Sequence, residues 1–160
     1  MKRWLMISLG IIIVLLSGCT LLISSLLPNE YEVLEKNWHI KLPTADEVTD
    51  LITTEANFHG DGEWFTLYNY SKPIDFSNTK LIKLTANETS HANQKIEQFK
   101  TKTIAIHQES KEITDTFNQH NVEAVIGDYF YYEERNNGYD FIILLYKTEG
   151  NQLYKYEWHQ

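Results

Sequence analysis

The chain of 160 residues contains one cysteine, and this scarcity excludes an internal disulfide. The folded part must therefore be stable through packing alone, which favours a well-packed sheet over a small disulfide-stapled scaffold. Familiar catalytic signatures are also lacking. The sequence has no Gly-x-Ser-x-Gly nucleophile elbow, no glycine-rich loop that cradles phosphate and no dinucleotide fingerprint. Because Cys19 lies in an apolar leader, a cysteine nucleophile in the folded part is excluded as well.

The chain also has few basic residues compared with acidic ones. The chain has 14 lysines and arginines against 22 acidic residues, and residues 1–18 hold two of the basic ones and none of the acidic ones. The remainder therefore has a formal charge of 12 − 22 = −10. Nucleic acid and anionic lipid headgroups repel such a domain, so we expect no nucleic-acid partner. An acidic surface that keeps the domain soluble is the plainer interpretation, and a cationic protein partner is the alternative.

The leader contains a long uncharged run. After Lys2 and Arg3, residues 4–27 include no charged side chain, which is the layout of an export signal whose basic head stays in the cytoplasm. Within it, Leu16-Ser17-Gly18-Cys19 resembles the lipobox of bacterial lipoproteins. That resemblance implies cleavage before Cys19, which becomes the new N-terminus, and attachment of a diacylglyceryl group to its thiol. Two acyl chains suffice for stable membrane anchoring.

An uncleaved transmembrane helix is the alternative interpretation of this leader. Lipoproteins usually continue with a polar tether after the cysteine, whereas here the apolar run continues to Leu27. A helix of about 24 residues is roughly 36 Å long, enough to span a bilayer with some tilt. Under both interpretations, residues 1–27 are a signal peptide or membrane anchor. Residues 28–160 then form a single domain on the extracytoplasmic face of the cell membrane.

The first half of that domain reads mainly as strands. Alternation of Trp38, Ile40 and Leu42 with polar residues predicts a strand before Pro43. Residues 44–56 are ambiguous, because Thr44-Ala45-Asp46-Glu47 also matches a helix capping box, but we favour a strand over residues 48–55. Residues 57–62 then predict a hairpin loop and residues 63–70 its second strand.

The second half combines helices and strands. A short strand is predicted within residues 80–84, and a helix over residues 87–108 with Thr89 or Ser90 as its cap. A shorter helix follows Ser110. Three strands end the sequence, at residues 129–135, 139–147 and 152–159, with tight turns between them.

Two of these final strands differ in pattern. Residues 141–146 are apolar on both faces, which predicts a central strand covered on both sides. In the last strand, Tyr154, Tyr156 and Trp158 alternate with charged residues, which predicts a half-buried edge. The expected fold is therefore α+β: an antiparallel sheet made of an N-terminal hairpin and a C-terminal three-strand meander. One or two helices pack on one face.

One constellation could hold a metal ion. In an extended backbone, His59, Asp61 and Glu63 project to the same side, and an imidazole with two carboxylates suits zinc or manganese. The alternative is a hairpin turn whose polar side chains are simply solvated, as the intervening glycines indicate. No other cofactor is predicted.

A group of aromatic residues near the end of the chain suggests a binding surface for a protein or glycan, unless a helix covers it. Its members are Tyr129, Phe130, Tyr131, Tyr132, Tyr139 and Tyr146. With Phe58-His59-Gly60-Asp61-Gly62-Glu63-Trp64 and the ending Leu153-Tyr154-Lys155-Tyr156-Glu157, the exported part resembles small envelope proteins of low-GC Gram-positive bacteria. That resemblance implies no particular activity.

The expected function is a membrane-anchored binding or interaction module of the cell envelope, without enzymatic activity. One alternative is a metal-dependent envelope hydrolase that uses His59, Asp61 and Glu63. The other is an immunity or inhibitor protein whose acidic surface covers a cationic partner.

Overall fold

The computed structural model describes residues 29–54, 61–108 and 110–160. Contacts divide the chain into two compact units, Met1–Lys41 and Leu42–Gln160. The leader lies outside the described residues, so the anchor, the modification of Cys19 and the predicted boundary between residues 27 and 28 stay predictions. Among the residues that the structure does describe, no helix combines the length and the apolar character needed to cross a membrane.

The described part of the first unit contains helix α1 (Glu30–Trp38), where the sequence predicted a connector leading into a strand. Asn29 caps the helix by accepting a hydrogen bond from the Glu32 amide at 2.9 Å. At the other end His39 adopts a left-handed conformation with φ 54°, which turns the chain out of the helix. The strand prediction was wrong because the alternating residues lie on both sides of this helix end: Trp38 is the last helical residue, whereas Ile40 and Leu42 follow the turn.

The second unit is an antiparallel sheet of six strands with two described helices, so the predicted α+β class is confirmed. In chain order its elements are β1 (Glu47–Thr53), β2 (Gly62–Asn69), β3 (Ile82–Lys83), α2 (Ala86–Ile106), α3 (Lys111–Gln119), β4 (Tyr129–Arg135), β5 (Asp140–Lys147) and β6 (Gln152–His159). The strand order is β1-β2-β6-β5-β4-β3. A 3-10 turn, Asn136–Gly138, joins β4 to β5.

The N-terminal hairpin forms as predicted. β1 pairs antiparallel with β2, from Glu47 opposite Asn69 to Thr53 opposite Trp64, and an irregularity in the register falls between Asp50 and Ile52. The strand interpretation of this ambiguous segment is therefore confirmed over the helix. Residues 55–60, which include most of the predicted loop, lie outside the described residues.

Both predicted helices are present, with one correction to a cap. α2 begins at Ala86, one residue before the predicted start, but its cap lies one turn earlier than predicted. Thr85 and Glu88 form a capping box, in which the Thr85 amide donates to the Glu88 carboxylate at 3.0 Å. Thr89, one of the two predicted caps, instead donates its hydroxyl hydrogen bond back to the Thr85 carbonyl. Ser110 caps α3 as predicted.

One face of the sheet carries the main apolar core beneath α2 and α3. Its aromatic members are Phe65, Phe99, Phe117, Phe130, Phe141, Tyr154, Tyr156 and Trp158. Phe99 from α2 meets the rings of Tyr156 and Trp158 edge-on, with centroids 5.2 and 6.1 Å away. This aromatic packing holds the helices against the sheet without the help of a disulfide.

The last strand is central, which corrects its predicted place at an edge. β6 pairs with β2 on one side and β5 on the other, so it joins the hairpin to the meander. Its charged residues Lys155 and Glu157 are accordingly buried rather than solvated. The expectation for residues 141–146 is confirmed, because all six side chains of this segment of β5 are buried.

Candidate functional site

The sheet has two edges of very different length. β3 contributes two residues, whereas β1 contributes seven, and among the described residues β1 pairs only with β2. Glu47, Val48, Thr49 and Asp50 are exposed along that strand, and Val48 retains 40% of its surface. The long open edge of the described sheet is therefore β1.

A cleft adjoins this edge and separates β1 from the start of α3. We call it the edge cleft; its volume is ≈ 320 Å³. Its lining consists of Leu51, Ile52, Thr53, Thr54, His107, Ser110, Glu112, Ile113 and Thr116. Leu51 and Ile113 are partly buried against the core, and with Ile52 they give the cleft an apolar part beside its six polar residues.

A hydrogen-bonded cluster closes the end of the edge cleft. Glu63, at the start of β2, is 5% exposed, and its Oε2 accepts a hydrogen bond from the Thr54 hydroxyl at 2.8 Å. Nε2 of His107, the residue that ends α2, lies 3.0 Å from the same oxygen. The Glu63 amide also donates to the Thr54 hydroxyl oxygen at 2.7 Å. The cluster thus ties the end of β1, the start of β2 and the end of α2 together.

Gly62 is required by the close packing around this cluster. A Cβ atom on this residue would lie 2.8 Å from Cη2 of Trp64 and 3.3 Å from the Thr54 hydroxyl oxygen. The first distance is shorter than real carbon contacts allow, so a side chain here would displace the indole or the threonine. The glycine that the sequence offered as a loop residue is in fact the first residue of β2.

A second cleft, with a volume of ≈ 510 Å³, lies on the other side of His107, and we call it the hairpin cleft. Its lining consists of Thr54, Asp61, Gly62, Glu63, Ile106, His107, His159 and Gln160. The cleft is therefore lined by two of the predicted metal ligands, Asp61 and Glu63, and by two histidines from distant parts of the chain.

His159 is held between two carboxylates. Its Nε2 lies 3.0 Å from Oε1 of Glu157 and its Nδ1 lies 3.3 Å from Oδ1 of Asp140. The hydrogen bond to Glu157 raises the pKa of His159 above its ordinary value of 6.5; burial opposes this, and the charges of both carboxylates reinforce it. Because both ring nitrogens face acceptors, the arrangement favours the charged imidazolium.

The cluster around Glu63 is not arranged as a catalytic relay. In a nucleophile–histidine–carboxylate relay the imidazole lies between the hydroxyl and the acid. Here the Thr54 hydroxyl and the His107 imidazole both bind one oxygen of Glu63, so the carboxylate lies between them. Chemically, this arrangement positions a buried carboxylate and orients a half-exposed imidazole toward the two clefts.

The predicted metal site is only partly described. His59 lies outside the described residues, while Asp61 and Glu63 flank Gly62 and line the hairpin cleft. Within residues 29–54, 61–108 and 110–160, no three His, Cys, Asp or Glu side chains are grouped so that they could hold a metal ion. The trio His59, Asp61 and Glu63 therefore stays a prediction.

The aromatic surface expected near the end of the chain is divided between the two faces of the sheet. Phe130 is buried in the core, and Nζ of Lys95 on α2 lies 4.1 Å above the ring of Tyr132. On the opposite face, Phe76 packs against Tyr146 with a centroid distance of 4.7 Å. Tyr139 is the member of the group that remains largely exposed, at 58%.

Sequence reasoning did not find His107 or Thr54. Both residues are ordinary in the sequence: His107 is one of six scattered histidines, and Thr54 is one of several threonines around β1. Their link to Glu63 spans 44 and nine residues respectively, and no local spacing announces such contacts.

Comparisons of the chain with protein-family models, with curated proteins and with solved structures find no significant match.

Proposed function

We propose that the protein is a membrane-anchored binding module of the cell envelope, without enzymatic activity, whose binding site is the edge of the sheet around β1 and the edge cleft. The leader supports the location, and its lipobox-like tetrad supports lipidation at Cys19. A compact domain held at the outer face of the cell membrane would meet partners in the cell envelope.

The observation that carries this proposal is that polar groups at the cleft form hydrogen bonds with one another. Thr54 and His107 both hydrogen bond to Oε2 of Glu63, so the Thr54 hydroxyl is not aligned with the imidazole as a nucleophile. The edge cleft adds apolar surface from Leu51, Ile52 and Ile113, and it lies beside the exposed strand β1. A cleft that combines apolar surface with a few fixed polar groups is a form of ligand site.

Two measurements on the full chain, expressed in bacteria, test the proposal. Mass spectrometry of the membrane-extracted protein should find a diacylglyceryl group on Cys19 as the first residue, and Cys19→Ala should abolish that species. Protease added to intact cell-wall-free cells should remove the domain after Pro28. A soluble cytosolic protein with residues 1–27 intact would refute the proposal, whereas an unprocessed leader embedded in the membrane would replace lipidation with a transmembrane anchor.

A metal-dependent hydrolase is the second candidate, and one observation favours it. Asp61, Glu63, His107 and His159 all line the hairpin cleft, and His59 is two residues from Asp61 in the sequence. Zinc titration of the full chain in detergent, followed by calorimetry, tests this candidate. Binding that is lost in both Asp61→Asn and His59→Gln would support it, and absence of zinc binding in the native chain would dismiss it.

A further inference from the structure

The backbone of β1 is the first observation that points to a class of partner. An edge strand directs alternate N–H and C=O groups away from its neighbour, and these groups can pair with a further strand. β1 offers seven residues, and no strand of the described part of the chain occupies its outer side. The opposite edge, β3, has two residues, too few to template a stable additional strand.

The edge cleft supplies the second observation. It lies on the helix-bearing side of β1, and the apolar side chains that line it are Leu51, Ile52 and Ile113. A strand added to β1 would direct every second side chain toward that side of the sheet. Apolar side chains at those alternate positions would therefore enter the edge cleft between β1 and α3.

Charge supplies the third observation. No lysine or arginine occurs between Lys41 and Lys72. The acidic residues in that interval are Asp46, Glu47, Asp50, Glu55, Asp61 and Glu63. Asp50 is held in place by the Thr66 hydroxyl at 3.0 Å, and Glu112 adds a further carboxylate at the rim of the edge cleft. Lysine is the residue that commonly protects free edges, and β1 has none.

The same charges argue against two other occupants. A second copy of the chain paired along β1 would bring exposed carboxylates such as Glu47 and Asp50 near their counterparts, and like charges opposed across strands are destabilising. An anionic lipid surface would be repelled for the same reason. A cationic strand is complementary in charge as well as in hydrogen bonding.

We infer that β1 binds an extended basic segment of a partner protein by strand addition. The segment alternates apolar side chains, which enter the edge cleft, with lysines or arginines, which lie on the face of the sheet that carries Asp50. This inference rests on the proposed function and adds to it the class of partner. Main-chain pairing supplies affinity, and the cleft and the carboxylates supply specificity.

Designed peptides test the inference on the full chain in zwitterionic detergent. A fluorescein-labelled heptapeptide amide that alternates lysine and valine should bind, as read by fluorescence anisotropy. The same peptide with glutamate in place of lysine should bind at least tenfold more weakly. A lysine–valine peptide N-methylated at alternate amides keeps the charge and apolar pattern but cannot pair its backbone, and it should also lose at least tenfold in affinity.

Matched variants locate the site. Asp50→Lys should weaken binding of the lysine–valine peptide about tenfold, while Glu149→Lys, an equal charge change in the exposed β5–β6 turn, should alter it less than threefold. Thr116→Trp should fill the edge cleft and weaken binding at least tenfold. Asn118→Trp, on the exposed side of the same helix, is its control. Thermal unfolding of each variant verifies that it folds.

Failure of the inference is distinguishable from failure of the proposed function. Equal binding of the N-methylated peptide, or equal loss in Asp50→Lys and Glu149→Lys, would show that general surface charge and not strand addition attracts cations. Absence of binding by any lysine–valine peptide would also overturn the inference. None of these three results bears on whether the protein is in the membrane, and it is that location which decides the proposed function.

Discussion

The two faces of the sheet bury different kinds of side chain. The face beneath α2 and α3 buries aromatic and aliphatic side chains, with Phe65 and Tyr156 stacked at a centroid distance of 4.5 Å. The opposite face buries charge as well: Nζ of Lys155 lies 3.2 Å from Oε2 of Glu157, and both side chains are less than 10% exposed. Adjacent residues of β6 thus belong to two different chemical environments.

This difference shows that alternation along a strand reveals two faces but does not reveal which of them is exposed to solvent. On the helix-covered face, stability comes from apolar area and close packing. On the opposite face, each charge must keep its partner, because a buried charge without one is strongly destabilising. Two substitutions separate these two sources of stability, and two with smaller effects test the cap of α2 and the charge of His159.

The largest loss is expected from Phe99→Ala, at the centre of the helix-covered face. Removing a fully buried ring costs about 3–5 kcal/mol in lost transfer energy and residual cavity. Urea unfolding of the full chain in detergent, followed by tryptophan fluorescence, measures the change. Ile106→Ala, in the last turn of the same helix and 52% exposed in the native chain, should cost less than about 1 kcal/mol. Similar losses at the two positions would mean that this face is not close-packed.

Glu157→Gln should be nearly as damaging on the opposite face, with a loss of about 3 kcal/mol, because it removes the negative charge that lies 3.2 Å from the buried ammonium of Lys155 and also contacts His159. The same unfolding experiment measures it. The double variant Lys155→Met, Glu157→Leu removes both charges of the pair and should recover part of the loss, since the charge beside His159 is absent from both variants. A double variant no more stable than Glu157→Gln would show that the pair has a role beyond mutual compensation.

A smaller loss, of about 1 kcal/mol, is expected for Thr85→Ala, which removes the capping box of α2. The helix would fray at its start, although its buried face would be unchanged. Thr101→Ala, at an exposed position of the same helix, serves as the control. Amide hydrogen exchange should show faster exchange confined to the first turn of α2; uniform acceleration along the helix would contradict a local capping effect.

The smallest effect is pH-dependent and concerns His159. Since its folded-state pKa is raised, its protonated form contributes stability that is fully present below its unfolded pKa of about 6.5. That contribution declines as the pH rises through the higher folded-state pKa. His159→Asn should therefore differ most from the native chain at mildly acidic pH and least at alkaline pH, as measured by unfolding at several pH values. A difference that grows with pH would give the opposite sign and refute the assignment.

The local elements were predictable because their signals are local. The final meander follows from apolar runs separated by turn residues, and those turns contain the left-handed residues that the sequence offers: Asn136, Asn137 and Gly138 in one, Gly150 and Asn151 in the other. The capping box of α2, formed by Thr85 and Glu88, is also visible in the sequence, but the prediction placed the cap one turn later, at Thr89 or Ser90. Helix α1 was missed because the alternation of Trp38 and Ile40 continues across its end.

The candidate site was predictable only in part, through Asp61 and Glu63. These residues stand together near a turn, so their clustering is visible in the sequence. The histidines that join them at the hairpin cleft, His107 and His159, come from the far end of a helix and from the last strand, and no periodicity relates them to Asp61 and Glu63. Likewise, the open edge of β1 became recognisable only when β6 was found between β2 and β5.

The sequence by itself determined the class of fold, the strands of the hairpin and the meander, and the acidic balance, because each depends on neighbouring residues or on composition. Only the tertiary structure decided that the last strand is central, that Lys155 and Glu157 are buried, and that His107 reaches Glu63. Those features depend on pairing between distant segments. The free energy of such pairing is set by surfaces that come together only when the whole sheet forms.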